Sequence, residues 1–200
     1  MRVLVSGFEP FAGGKINPTE KIVESIQKDE IPYPNEITLE SIVLPVRFID
    51  SYECLKEKIN TFNPDVIIAF GLASDRAAIE LEEIAVNTIH SNIPDNSGTI
   101  ISKSPINQTG PEFYKSTLPL LGIEAKLKQE GLPVNLSKSA GTFVCNYLFY
   151  RMMEDNQDTQ RLCGFIHVPH LAEQVKDRAP SISMEDLKKS VSIILNYMSY

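Results

Sequence analysis

The sequence predicts a single-domain α/β protein, a three-layer α/β/α sandwich with a mostly parallel, twisted sheet. Short apolar segments alternate with helical segments along the 200 residues, and this alternation is typical of parallel sheets covered by helices on both faces. No linker, repeat or shift of composition divides residues 1–200. A chain of this length buries a sizeable core without disulfides.

In the first part of the chain, the sequence pattern predicts alternating strands and helices. In order, these are a strand at Arg2–Ser6, a helix that begins at Asn17, a strand at Ile37–Leu44, a helix at Ile49–Phe62 and a strand at Val66–Phe70. Asn17 suits an N-cap because Pro18 and Glu20 follow it as first-turn residues. The prolines and glycines that follow other segments, such as Pro64 and Gly71, mark their ends.

The second part continues the alternation. The expected elements are a strand at Ile84–Ile89, a loop from Ser91 to Pro111, a helix at Leu118–Glu130, a strand at Val134–Ser137, a helix from Phe143 to about Asp155, a strand at Leu162–Val168 and a helix at Ser183–Tyr200. In such sheets the chemistry collects in loops beyond the carboxyl ends of the strands. Candidate residues are therefore sought after Gly71, before Cys145 and near His167.

Charge and cysteine content narrow the class of protein. The net charge is −7 and the isoelectric point is near 5.0, so phosphate backbones and anionic lipid are poor partners. The apolar run at the N-terminus is too short for a signal peptide, and no later run is long enough to cross a bilayer. Three cysteines without ligand-like spacing indicate free thiols, and the expected compartment is the cytoplasm.

Cys145 is a candidate nucleophile. Small residues precede it and an aromatic-rich helical run follows, which places the thiol in the first turn of a helix. The free N–H groups there stabilise a thiolate and can bind an oxyanion. A buried structural cysteine is the alternative, and local sequence alone favours it by roughly two to one.

His167 is the best placed of the histidines to act as a base, because it lies near the end of an otherwise apolar strand. The other two are His90 and His170, and a hydrogen-bonded core histidine is the alternative for any of them. Zinc bound by Cys163, His167 and His170 is disfavoured, since Pro169 interrupts the geometry between the histidines.

Acidic and aromatic residues complete the set of candidates. Glu80, Glu82 and Glu83 could supply a carboxylate that orients an imidazole, but alternation with apolar residues does not choose between Glu80 and Glu82. Phe8 and Phe11, in a glycine-rich loop after the first strand, could wall a small flat pocket or could cap the core.

Together these segments resemble the pyroglutamyl peptidase I (pyrrolidone-carboxylate peptidase) family. Four blocks in order carry the resemblance over nearly the whole chain: Gly7-Phe8-Glu9-Pro10-Phe11 with Asn17-Pro18-Thr19; Glu82 with Ala85-Val86-Asn87 and Ile93-Pro94-Asp95-Asn96; Ser139-Ala140-Gly141-Thr142 with Cys145-Asn146; and Gly164-Phe165-Ile166-His167-Val168-Pro169. The resemblance implies a cysteine peptidase that removes an N-terminal pyroglutamyl residue from peptides, without a metal or an organic cofactor.

The same resemblance implies residue roles: Cys145 as nucleophile, His167 as base, Glu82 as the acidic member of the triad, and Phe8 and Phe11 as walls of the ring pocket. It further implies a homo-oligomer, a dimer or a tetramer, since members of that family commonly self-associate.

Two departures from the family pattern motivate an alternative function. Asn92 stands where the family usually has an arginine near the nucleophile, and is expected to contact substrate without supplying positive charge. Glu83 replaces another arginine and adds negative charge beside Glu82. The alternative is a protein with an impaired site that binds pyroglutamyl ends or another small ligand; a third candidate is an amidase for a different small acyl group.

Overall fold

A computed structural model describes residues 1–175 and 181–199. The elements are β1 Arg2–Phe8, α1 Pro18–Gln27, β2 Thr38–Leu44, α2 Phe48–Phe62, β3 Val66–Leu72, β4 Ile79–Glu82, β5 Ile84–Val86, β6 Phe113–Lys115, α3 Leu120–Gln129, β7 Val134–Ser137, α4 Val144–Asp155, β8 Leu162–Val168, β9 His170–Leu171, β10 Ser181–Ile182 and α5 Met184–Met198, with a short 3₁₀ helix at Ala172–Gln174.

Six strands form the central sheet in the order β2-β1-β3-β8-β4-β7. The strands β2, β1, β3 and β8 are parallel to their neighbours in that run. The β4 strand pairs antiparallel with β8 and parallel with β7. Two short two-stranded sheets, β10-β9 and β5-β6, lie beside the main sheet.

The helices cover both faces of this sheet. One core joins α1, α3 and α5 to the sheet, and the other joins α2 and α4 to the opposite face. Successive residues of a strand point to opposite faces, so Ile166 of β8 enters the first core while Phe165 enters the second. The predicted three-layer sandwich with a mostly parallel sheet is confirmed.

Local chemistry explains where the first helix begins. The Asn17 side chain accepts a hydrogen bond from the backbone N–H of Thr19 at 3.0 Å, and Pro18 occupies the first helical position, where its missing N–H has no consequence. The same Asn17 amide donates to the Glu9 carbonyl oxygen at 2.9 Å. The start of α1 is thereby tied to the loop that follows β1.

The predicted strand at Ile84–Ile89 is wrong in extent, because β5 ends at Val86. The Asn87 side chain accepts hydrogen bonds from the N–H groups of Ile106 and Asn107, which turns the chain into the long loop. The strands β4 and β6 were not expected from the sequence pattern: β4 carries carboxylates at alternate positions, a pattern that also suits a solvated acidic surface.

The other predicted elements agree with the structure within a few residues at their ends. The last predicted helix, Ser183–Tyr200, corresponds to α5, and its final residue lies outside the described residues. Within the described ranges, no helix has both the length and the apolar character needed to span a bilayer.

Candidate active site

Cys145 is the second residue of α4, as its local sequence predicts. Phe143 precedes the helix in an extended conformation, and its apolar side chain offers no acceptor for the first backbone N–H groups. These groups have no partner within the helix and carry the positive end of its dipole. The thiol therefore lies where a negative charge on sulfur, or on an oxygen beside it, is stabilised.

The next residue, Asn146, holds this helix end in position. It is fully buried. Its Oδ1 accepts from the Val86 N–H at 3.0 Å, and its Nδ2 donates to the carbonyl oxygens of Val86 and Thr88, both at 2.9 Å. Because the amide is satisfied on both sides by the backbone of Val86, the last residue of β5, and of Thr88 just beyond it, the orientation of the adjacent Cys145 is restrained.

Gly71 makes room for the sulfur. It lies on β3 directly opposite His167 of β8. A Cβ at this position would lie 2.9 Å from Cys145 Sγ and 2.7 Å from the Phe165 ring, closer than real Cβ atoms approach other atoms. The backbone of β3 is therefore the surface against which the nucleophile packs.

His167 joins the thiol to a carboxylate. The imidazole is buried, with 6% of the residue's surface exposed, and its Nδ1 lies 2.8 Å from Glu82 Oε1. A carboxylate only accepts, so Nδ1–H donates to Glu82 and Nε2 remains for the thiol. The Phe165 ring packs beside the imidazole with a centroid separation of 4.8 Å.

Opposing effects act on the pKa of His167. Burial lowers it, but hydrogen bonding to Cys145, hydrogen bonding to Glu82 and the charges of both groups outweigh burial and raise the pKa to about 9. One Glu82 oxygen, Oε2, is buried and has no hydrogen-bond partner among the described residues. Among the described residues, the His167 ring is the group that hydrogen-bonds this buried carboxylate.

The structure distinguishes the two carboxylates that alternation leaves equivalent. Glu80 lies directly opposite His167 in the β4–β8 pair, and Glu82 lies opposite Phe165. Both point to the same face of the sheet. The diagonal residue, Glu82, bonds the imidazole, whereas Glu80 accepts a hydrogen bond from Asn135 Nδ2 at 3.3 Å on the neighbouring strand.

A cavity of about 280 Å³ opens beside the thiol. Its lining includes Phe8, Phe11, Val46, Phe143, Cys145 and His167. The Phe11 and Phe143 rings lie 6.2 Å apart at their centroids, and Phe48 meets Phe143 edge-on at 5.2 Å. Both aromatic residues singled out in the sequence reach this cavity.

Sequence reasoning missed Phe143 as a wall of the cavity. Its position two residues before the candidate nucleophile was the available signal, since a side chain at the start of a helix shares the space in front of that helix. Asn92 is expected from the sequence to contact substrate, but its side chain is exposed and does not contribute to the cavity lining. Glu83 lines a different surface groove, together with Lys115 and Lys138.

The remaining cysteines take no part in this arrangement. Cys163 is fully buried in the core, and burial raises the pKa of its thiol to about 12. Cys54 lies on α2, where burial and neighbouring carboxylates raise its pKa. Across residues 1–175 and 181–199, no group of three or more His, Cys, Asp or Glu side chains is arranged to hold a metal ion.

Comparisons with known proteins identify the family of this chain. The family model for pyroglutamyl peptidase matches residues 1–199. The pyrrolidone-carboxylate peptidase of Pyrococcus furiosus is 42% identical over 180 residues, which cover 89% of this chain and 85% of that protein. The corresponding protein of Bacillus cereus is 38% identical over 195 residues, which cover 96% of this chain and 89% of that protein.

Solved structures from the same family also superpose closely on this chain. The crystal structure of Bacillus amyloliquefaciens pyroglutamyl peptidase I superposes with a TM-score of 0.92 at 34% identity and covers all of this chain and 97% of that one. A crystal structure of a mutant pyrrolidone carboxyl peptidase from Pyrococcus furiosus gives a TM-score of 0.90 at 39% identity, covering 98% and 96% of the two chains. The chain belongs to the pyroglutamyl peptidase family of cysteine peptidases.

Proposed function

We propose that this protein hydrolyses the bond between an N-terminal pyroglutamyl residue and the rest of a peptide, with Cys145 as nucleophile, His167 as acid and base, and Glu82 as the group that orients and stabilises the imidazolium. The observation that carries the proposal is the His167 ring, which is bonded to Glu82 through Nδ1 at 2.8 Å and lines the same cavity as Cys145. The Cys145 sulfur packs against Gly71, the residue directly opposite His167 on the neighbouring strand.

In the first half-reaction the proton of the Cys145 thiol resides on His167 Nε2. The thiolate attacks the pyroglutamyl carbonyl carbon, a C–S bond forms, and the oxygen that becomes negative lies against the first N–H groups of α4. The imidazolium then donates its proton to the leaving amine as the C–N bond breaks. The peptide departs with a new amino terminus and a thioester remains.

The second half-reaction returns the enzyme to its starting state. Water donates a proton to His167 Nε2 while its oxygen attacks the thioester carbon. The tetrahedral intermediate collapses, the C–S bond breaks, and free pyroglutamate leaves the thiolate–imidazolium pair. Glu82 accepts the Nδ1–H bond throughout and holds the ring in the tautomer that both steps require.

The cavity walls account for the substrate class. A pyroglutamyl end is an uncharged five-membered lactam without a free ammonium group. The Phe8, Phe11 and Phe143 rings offer flat apolar surface to such a ring, and they would penalise an ordinary charged amino terminus because it would lose its hydration.

The test is release of a fluorescent amine from a pyroglutamyl amide. Cys145→Ala is expected to lower kcat/KM by about 10³-fold or more, because the covalent step is lost. Cys54→Ala is the matched control: it removes a thiol on α2, outside the cavity lining, and should leave the rate unchanged.

Absence of turnover by the wild-type chain, or full activity in Cys145→Ala, would contradict the proposal. Preference for prolyl or acetyl amides would instead indicate an amidase with another small acyl substrate. The ligand-binding alternative predicts thermal stabilisation by ligand without hydrolysis. Its two motivating residues, Asn92 and Glu83, lie outside the cavity lining, so the geometry favours the hydrolase.

The proposal also covers the cellular compartment and the partners of the protein. Free thiols at Cys54, Cys145 and Cys163 fit a reducing compartment, the cytoplasm. The acidic chain favours neither nucleic acid nor membrane as a partner, and the chemistry uses protein side chains alone. Self-association as a dimer or tetramer is part of the proposal and is measured by sedimentation equilibrium.

A further inference from the structure

Glu9 lies between the cavity aromatics Phe8 and Phe11, yet it is not itself part of the cavity lining. Its Oε1 accepts the Val46 N–H at 3.0 Å and the Asn96 Nδ2–H at 2.8 Å. The same Asn96 nitrogen donates to the carbonyl oxygen of Pro10 at 3.0 Å. One carboxylate oxygen thus joins three loops that are far apart in the sequence.

Backbone hydrogen bonds continue this connection. The Glu9 N–H donates to the Leu44 carbonyl oxygen at 3.0 Å, and the Asn96 N–H donates to the Val46 carbonyl oxygen at 2.9 Å. We call the set of Glu9, Val46 and Asn96 the loop latch. Of these three residues, Val46 is the one that also lines the cavity.

A buried carboxylate keeps the Asn96 side of the latch in place. Asp95 is 6% exposed, and its Oδ2 accepts the Phe48 N–H at 3.1 Å, at the start of α2. Its Oδ1 accepts from the N–H groups of Ser97 and Thr99 at 2.8 and 3.0 Å. Burial raises the pKa of Asp95, but the hydrogen bond from the Ser97 hydroxyl, together with these backbone N–H groups, outweighs burial and holds the pKa below its usual value.

The latch reaches the cavity through the side chains next to it. Val46 lines the cavity while its N–H and carbonyl groups are both held by the latch. Phe8 and Phe11 flank Glu9 on either side. Displacement of the latch would therefore move one wall of the cavity and would leave the Cys145, His167 and Glu82 contacts unchanged.

We propose that Glu9 and Asn96 are positioning residues that fix the aromatic wall of the ring pocket, so that they govern the binding of the lactam ring and leave the covalent chemistry of Cys145 unaffected. The inference rests on the proposed function, since it assigns the cavity to the pyroglutamyl ring. The role belongs to the acceptor oxygen, so a neutral amide at position 9 should largely replace the carboxylate.

The experiment compares Glu9→Ala with Glu9→Gln in the full chain. Glu9→Ala should raise KM for the pyroglutamyl amide about tenfold or more, as expected when hydrogen bonds to a carboxylate are lost, while kcat changes by less than about threefold. Glu9→Gln should restore most of the binding. Glu57→Ala, which removes an exposed carboxylate on α2, is the matched control and should behave as wild type.

Two readouts separate this inference from the proposed function. The dissociation constant of 2-pyrrolidone, the bare lactam, is measured by calorimetry and should rise in Glu9→Ala by a factor similar to the rise in KM. The rate of Cys145 alkylation by iodoacetamide should stay at the wild-type value, because that small reagent does not need the ring pocket.

A wild-type chain that binds 2-pyrrolidone without turnover would overturn the proposed function, and the binding comparison would still test the latch. The latch is overturned if Glu9→Ala lowers kcat at constant KM, if Glu9→Gln binds as poorly as Glu9→Ala, or if alkylation slows in parallel with binding. Asn96→Ala should cost less binding when added to Glu9→Ala than when made alone, because the hydrogen bond that the two residues share is already lost and the bond to the Pro10 carbonyl remains; equal losses in the two backgrounds would overturn the latch.

Discussion

The two faces of the central sheet are built from different kinds of side chain. The face under α1, α3 and α5 is almost entirely aliphatic, with Phe70 as its buried aromatic residue. The face under α2 and α4 is rich in aromatic residues: Phe8, Phe48, Tyr52, Phe62, Phe149, Tyr150 and Phe165. The residues that bring charge or an amide into the site, Glu82, His167 and Asn146, lie on the aromatic side, whereas the buried polar residues of α1 and α5 carry hydroxyl groups: Thr19, Ser25 and Ser190.

This difference suggests that the aliphatic face mainly contributes to the stability of the fold and the aromatic face to catalysis. Aliphatic burial is non-directional and contributes roughly in proportion to the area removed from water. Aromatic rings and buried polar groups instead impose directions, through ring edges and hydrogen bonds. We therefore expect substitutions on the aliphatic face to change the free energy of unfolding, and substitutions at the polar groups of the aromatic face to change the rate.

The largest expected effect concerns the two carboxylates of β4. Glu82→Gln should lower kcat/KM by about 10³-fold or more, because a neutral amide neither compensates an imidazolium nor selects the Nδ1–H tautomer. Glu80→Gln, two residues away on the same face, should change kcat/KM by less than about threefold. Steady-state kinetics of both variants give the comparison, and equal losses would contradict the assignment of the triad.

The aliphatic face should respond in the opposite way. Ile194→Ala on α5, at a fully buried position, is expected to reduce the free energy of unfolding by about 3 kcal/mol through lost burial and the cavity left behind. Its kcat at a temperature where the chain stays folded should be unchanged. Ile49→Ala removes the same atoms from a side chain that is 64% exposed and serves as the control in urea unfolding.

A clear loss of kcat in folded Ile194→Ala would show that the two faces of the sheet are coupled, and would contradict the separation of stability from catalysis. An equal destabilisation by Ile49→Ala would contradict the burial explanation.

The smallest expected effect is the change in the free energy of unfolding with each unit of pH. The pKa of His167 is raised from 6.5 to about 9 in the folded chain, so its contribution to stability is fully present below pH 6.5 and is lost as the pH rises through 9. The slope is at most about 1.4 kcal/mol per pH unit for one proton. Urea unfolding between pH 6 and 10 should show this decline in wild type and a flatter profile in His167→Gln.

Cys145 and Glu82 are the titratable groups that raise the pKa of His167, so Cys145→Ala should reduce the decline as well. A profile in His167→Gln as steep as in wild type would show that other groups cause it.

The sequence was sufficient for the elements whose signals are local. The β8 strand has the predicted bounds, Leu162–Val168, and Cys145 lies in the first turn of its helix as expected. Apolar runs, caps and small residues before a helix act over a few neighbouring positions, so one chain carries enough information for them.

The choice between Glu80 and Glu82 shows where local information ends. Both carboxylates alternate with the same apolar residues, and the resemblance to a known family selected Glu82 where periodicity could not. The geometric reason is the antiparallel register of β4 on β8, which joins segments about 85 residues apart. The loop latch is hidden for the same reason, because Glu9, Val46 and Asn96 become neighbours only in the folded chain.

Gly71 has a consequence for anyone who would redesign this protein. The floor beneath the nucleophile is main chain, and even a methyl group there would collide with the sulfur and with the Phe165 ring. Saturation libraries at that codon should yield only the parental residue among active clones. Variants with altered selectivity should therefore carry substitutions in the walls of the pocket. A covalent inhibitor that packs against Gly71 should be hard to escape by mutation, because no other residue fits at that position.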